Sequence, residues 1–81
     1  MAEIITFENK SLRQIEIIIE PSAEYIDLPA GKAASFEISE SANDFNDAFE
    51  MVHSEGTIVV YEQRGRSLQV FIAGELKFTN R

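Results

Sequence analysis

Apolar and polar residues alternate along several short runs of this chain, with a period of two. In Ile15-Glu16-Ile17-Ile18-Ile19, one side carries Ile15, Ile17 and Ile19 and the other Glu16 and Ile18. Tyr25-Ile26-Asp27-Leu28, Ala34-Ser35-Phe36-Glu37-Ile38, Thr57-Ile58-Val59-Val60-Tyr61 and Leu68-Gln69-Val70-Phe71-Ile72 repeat the pattern with β-branched and aromatic residues. Successive side chains of a strand point to opposite faces, so each run predicts a strand with one face toward a core. Residues 3–8 predict a first strand with Ile5 and Phe7 inward, and Leu76 to Thr79 a last one. The expected core is Ile15, Ile17, Ile19, Ile26, Leu28, Phe36, Ile38, Val70 and Ile72.

Turn residues separate the runs. Pro21 has no N–H to donate and ends the second strand, residues 12–20. Leu28-Pro29-Ala30-Gly31 reads as a tight turn, with Pro at its first corner and Gly free to take a positive φ. Gln63-Arg64-Gly65-Arg66 predicts the loop of a hairpin between residues 57–62 and 67–73. One segment departs from period two. Phe45, Phe49 and Val52 fall at i, i+4 and i+7, after Ser41 or Asn43 as a cap and before Gly56 as a stop. This spacing predicts one short helix near residues 43–53, packed on a sheet. The whole reads as one all-β domain over residues 1–81: a small antiparallel β-sandwich or partly open barrel of six to seven strands, with that helix.

The stretch from Ile15 to Ile38 resembles a motif in small, uncharacterised bacterial β proteins. Its elements here are an apolar strand ending in Glu20-Pro21, the aromatic Tyr25, Leu28-Pro29 with Gly31, and Phe36-Glu37-Ile38. Gly56-Thr57-Ile58-Val59-Val60 is similar to the way such proteins continue. Those proteins tend to carry Trp-Gly after the Pro, where this chain has Ser22-Ala23. The resemblance implies a β-sandwich-like fold and a bacterial source. It supplies no activity and no functional residue.

Charge changes the picture more than length does. The formal net charge is −7. From Ala33 to Gln63 there are seven acids (Glu37, Glu40, Asp44, Asp47, Glu50, Glu55 and Glu62) and no Lys or Arg. Such a surface repels nucleic acid and anionic lipid, so neither is an expected partner. No purely apolar run exceeds four residues, as in Val70 to Ala73, too short for a membrane helix. Glu3 stands where a signal peptide has bases, which predicts a cytoplasmic protein. There is no Cys and one His, so neither a disulfide nor a tight metal site is expected, and no cofactor.

Candidate chemistry is sparse. His53 would need an orienting partner to act as a base, and Ser54 and Glu55 are neighbours in sequence only. Asn43-Asp44-Phe45-Asn46-Asp47 resembles a calcium loop, but Phe49 stands where the sixth position requires Gly. Asp44, Asp47 and Glu50 are three apart and fit an exposed helix face better than a hydrolytic pair. Tyr25 and Tyr61 are candidates for a sugar platform, and Arg64 and Arg66 for an anion contact. The run at 57–61 and the run at 68–73 are apolar on both sides, so one side of each needs a cover, either the helix stripe of Phe45, Phe49 and Val52 or a second copy of the sheet. Val59, Tyr61 and Phe71 are therefore candidate interface residues, most simply in a homodimer, with another protein as the other partner. The expected function is a non-enzymatic binding or protein-interaction module that self-associates. The alternative is a small enzyme or ligand-binding protein with a carboxylate and His53 site.

Overall fold

The computed structural model describes residues 3–39, 50–63 and 65–80. They form eight strands: β1 (Glu3–Glu8), β2 (Ile15–Glu20), β3 (Glu24–Leu28), β4 (Ala33–Ile38), β5 (Glu50–Ser54), β6 (Thr57–Tyr61), β7 (Leu68–Ile72) and β8 (Glu75–Thr79). Sheet I has the order β1-β4-β7-β8 and sheet II the order β3-β2-β6-β5. Both sheets are open, so the fold is all-β in two four-stranded layers and not a closed barrel. Their inner faces share one core. Every residue of the expected core is in it, joined by Ala34, Ile58, Val60 and Leu68. Ile5 and Phe7 pack against that core from β1, as period two predicts.

The structure corrects four expectations. No helix occurs among the described residues, and Glu50 to His53 of the expected helix belong to β5. Phe45 and Phe49 lie outside the described residues. Val52 satisfies both periods, and edge pairing to β6 decides for the strand. Gly56, at φ 71°, turns the β5–β6 hairpin and ends no helix. This adds β5 and raises the strand count to eight.

Second, residues 57–62 and 67–73 are not a hairpin: β6 lies in sheet II and β7 in sheet I. The local turn is as expected, with Gly65 at φ 79° and the Arg66 N–H donating to the Gln63 carbonyl at 3.2 Å. It bends a crossing between layers: β6 pairs with β2 and β5, and β7 with β4 and β8. Third, sheet II is not purely antiparallel, since β2 and β6 run parallel at its centre. Fourth, β2 begins at Ile15, and residues 9–14 form a crossing from sheet I to sheet II.

That crossing is held by Asn9, which is 1% exposed. Its Nδ2 donates to the carbonyls of Arg13 at 2.8 Å and Leu28 at 3.0 Å. Its Oδ1 accepts from the Ser11 N–H at 3.1 Å and the Ser11 hydroxyl at 2.6 Å. The Asn9 N–H donates to Lys32, and its carbonyl accepts from Gly31. Asn9 thus ties the β1-to-β2 crossing to the β3-to-β4 turn. In that turn Gly31 has φ 78°, and the Lys32 N–H donates to the Pro29 carbonyl at 3.1 Å. Pro29 therefore sits one place earlier than the first corner expected of it.

Candidate functional site

Strand register builds one surface feature from four strands. On the outer face of sheet II, Tyr25 pairs with Ile18, Ile18 with Val59, and Val59 with Val52. These residues form an apolar row that crosses the sheet at right angles to the strands. Tyr25 is 63% exposed and Val52 48%, at the two edges; Ile18 and Val59 are half-buried in the middle. The neighbouring row on one side is Glu20, Tyr61 and Glu50, with Tyr61 40% exposed. The row on the other side is Asp27, Glu16, Thr57 and Ser54. The four strands carry the acids Glu16, Glu20, Glu24, Asp27 and Glu50 and no Lys or Arg.

Sheet I presents a different outer face. Thr6, Ser35, Phe71 and Leu76 form an uncharged row across it, with Leu76 exposed and Phe71 half-buried. Ile4, also exposed, lies in the next row beside Glu37. Of the candidate interface residues, Val59 and Tyr61 therefore share the outer face of sheet II, whereas Phe71 belongs to that of sheet I. The two faces point away from each other across the core, so these three residues do not form one continuous patch on the molecule. The hairpin expected to unite them does not form.

A cleft of about 720 Å³ lies between β1, the β1-to-β2 crossing and the β5–β6 hairpin. Its lining includes Phe7, Glu8, Lys10, Arg13, His53 and Glu55. His53 rests its ring on Phe7, with centroids 5.7 Å apart and planes tilted by 56°. That is an aromatic packing contact. Among the described residues His53 has no hydrogen-bond or ion-pair partner, and Lys10 pairs only with Glu8, at 4.0 Å between exposed groups. Among the described residues no cluster of three or more His, Asp or Glu is placed to hold a metal ion. Asn43 to Asp47 of the calcium-like segment lie outside the described residues.

The guanidinium of Arg66 is engaged inside the molecule. It donates to the Ser39 carbonyl at 2.8 Å, to Gln63 Oε1 at 2.9 Å and to Glu3 Oε1 at 3.2 Å. The Ser67 N–H donates to Ser39 Oγ at 2.7 Å in the same cluster. Arg66 clasps the β6-to-β7 crossing to the end of β4, which leaves little of its fork for an anion. Arg64 lies outside the described residues. Tyr25 and Tyr61 share a face of sheet II but occupy different rows, on β3 and β6 with β2 between them.

Glu62 carries the one clear electrostatic perturbation among the described residues. Burial works against its charge and is the largest single influence. The Ser22 hydroxyl, the Asn80 amide and the Ser22 N–H together outweigh it and hold the carboxyl below its usual value. Asn80 Oδ1 also accepts from the Leu68 N–H at 2.7 Å. Glu62 thus bridges the β2–β3 turn and the C-terminal end of β8, in a tying role like that of Arg66.

No family model, no curated protein and no solved structure matches the chain. Among the described residues no helix is long and apolar enough to cross a membrane.

Proposed function

We propose that the chain is a non-enzymatic interaction module and that the outer face of sheet II is its binding surface. The observation that carries this reading is the row Tyr25, Ile18, Val59 and Val52, apolar across all four strands and open to solvent at both ends. Contiguous apolar surface of this kind mostly marks a contact in small proteins. The polar groups that could do other work are engaged within the fold: Asn9 and Arg66 at crossings, Glu62 at a turn. In the alternative, a ligand or substrate occupies the His53 cleft. Against it stands the packing of His53 on Phe7, with no orienting carboxylate bonded to the imidazole among the described residues.

Affinity capture on the immobilised full chain separates the two, comparing wild type, Tyr25→Ser/Val52→Ser and His53→Ala. The two substituted faces are exposed, so folding is preserved, with circular dichroism as the check. Proteins retained by wild type and His53→Ala but lost by the double variant are the expected result. A set lost only with His53→Ala, or no set at all, overturns the reading.

Self-association is a second reading, and one observation favours it for sheet I. Its row of Thr6, Ser35, Phe71 and Leu76 is uncharged and is flanked by two acids, Glu37 and Glu8, against four on sheet II, so two copies meet there with less like-charge repulsion. Light scattering after size exclusion tests it at tens of micromolar. A mass near the monomer's 9.1 kDa, or a dimer that survives Phe71→Glu, removes this homodimer.

A further inference from the structure

We infer that the outer face of sheet II docks a basic amphipathic helix of another protein, its apolar ridge lying along the row Tyr25, Ile18, Val59 and Val52. This rests on the interaction-module reading and adds the class of partner.

Charge decides the first half. The acids Glu20 and Glu50 border the row on one side, and Glu16 and Asp27 on the other. No Lys or Arg lies on any of the four strands. A second copy of this face would bring carboxylates against carboxylates, and like-charge juxtaposition is costly. Nucleic acid and anionic lipid meet the same repulsion. The complementary partner has an apolar line flanked on both sides by Lys or Arg.

Geometry decides the second half. Strands lie ~4.8 Å apart, so the row from β3 to β5 spans ~14 Å. A helix repeats its apolar positions every ~5.4 Å, so three turns cover ~16 Å and keep near-register with the four side chains. An extended segment repeats every second residue, at ~6.8 Å, and falls out of register after one step. The acidic rows stand two residues along each strand, ~6.8 Å from the apolar row. A helix is about 10–12 Å wide with its side chains, so Lys and Arg on its flanks reach both acidic rows. The row also runs across the strands, which fixes the direction of the helix axis.

The test uses the full chain and three synthetic helical peptides with one leucine stripe: Lys-flanked, Gln-flanked and Glu-flanked. Backbone amide shifts report the site. The Lys peptide should move Ile18, Val52 and Val59, bind about tenfold or more tighter than the Gln peptide, and weaken as salt screens the contact. Glu16→Gln/Glu20→Gln/Asp27→Asn/Glu50→Gln should bring the Lys peptide down to the Gln level. Equal binding of all three peptides at this face, or preference for the Glu peptide, keeps the interaction surface and overturns the basic helix. Shifts from no peptide at this face, together with capture unaffected by Tyr25→Ser/Val52→Ser, overturn both.

Discussion

Replacing Asn9 by Ala should unsettle this fold more than any other single polar substitution. The side chain is buried where two crossings between the sheets meet. Its amide donates to the carbonyl of Leu28, in a buried setting, and to that of Arg13, in a partly buried one. Leaving a buried carbonyl unpaired costs about 1–3 kcal/mol, and losing a hydrogen bond that water can replace about 1 kcal/mol or less. The bonds to Ser11 are nearer the surface, and water takes them over. The sum is about 1–4 kcal/mol. A domain of 81 residues has a total stability of about 4–12 kcal/mol, so the loss is a large part of it. Urea unfolding followed by far-ultraviolet circular dichroism measures it. With a slope of about 1 kcal/mol per molar for a chain this small, the midpoint should fall by about 1 M or more. Asn9→Asp keeps the volume and removes both donations, and at neutral pH it should cost at least as much. Ser11→Ala should cost under about 1 kcal/mol. An Asn9→Ala midpoint within experimental error of wild type, or a neutral Asn9→Asp, refutes the assignment of Asn9 as the tie between the crossings.

Three further outcomes follow from single positions. Ile17 is fully buried between the sheets, so Ile17→Ala should cost ~2–5 kcal/mol by cavity formation, and an unchanged urea midpoint would contradict its place in the core. Ala73 and Gly74 turn the β7–β8 hairpin with φ of 50° and 83°; Asn tolerates that conformation better than Ala, so Ala73→Asn should raise stability by ~0.5–1 kcal/mol in the same assay, and a loss would show that the turn is not left-handed at Ala73. The Glu62 carboxyl is held below its usual 4.5, so its contribution is complete above that value and fades as pH falls through the lower folded value. The stability gap between wild type and Glu62→Gln should therefore be widest near neutrality and close in acid; a gap that widens in acid reverses the sign and the argument.

Face was legible in the sequence and partnership was not. Period two is a local property, so Ile17, Phe36 and Val70 could be placed inward from their own neighbours alone. Which strand lies beside which depends on distant segments. Gly65 makes the same turn whether the chain returns beside β6 or crosses to the other layer, so the hairpin and the crossing share one local signature. The run at 50–54 is too short for either period to win, and its pairing to β6 settled the matter. Asn9 reads as an ordinary turn residue, because its burial arises only where residues 9–13 meet Leu28 and Lys32. The apolar row needed the register of β2, β3, β5 and β6 together. The one local hint of it was that Ile18 and Val59 break their own alternation.

The failed hairpin bears directly on function. With β6 and β7 in one sheet, Val59, Tyr61 and Phe71 would form a single apolar patch, and a second copy would be the simplest cover. With the strands in different layers, the apolar surface divides into two faces of unequal charge. Sheet II carries five acids and no Lys or Arg on its strands, whereas Lys10, Arg13 and Lys32 gather in the crossing and turn that Asn9 joins at one end. The outer face of sheet II, with Glu16, Glu20, Asp27 and Glu50 and no base on its strands, is therefore acidic around its exposed apolar row. Fields from exposed charges reach ~10 Å at 0.1 M salt, far enough to select a cationic partner before apolar contact is made. In the proposed complex, affinity would come from covering Tyr25, Ile18, Val59 and Val52, and discrimination from Glu16, Glu20, Asp27 and Glu50. Loss of the acids should act on the rate of association and its salt dependence, and loss of the row on the lifetime of the complex.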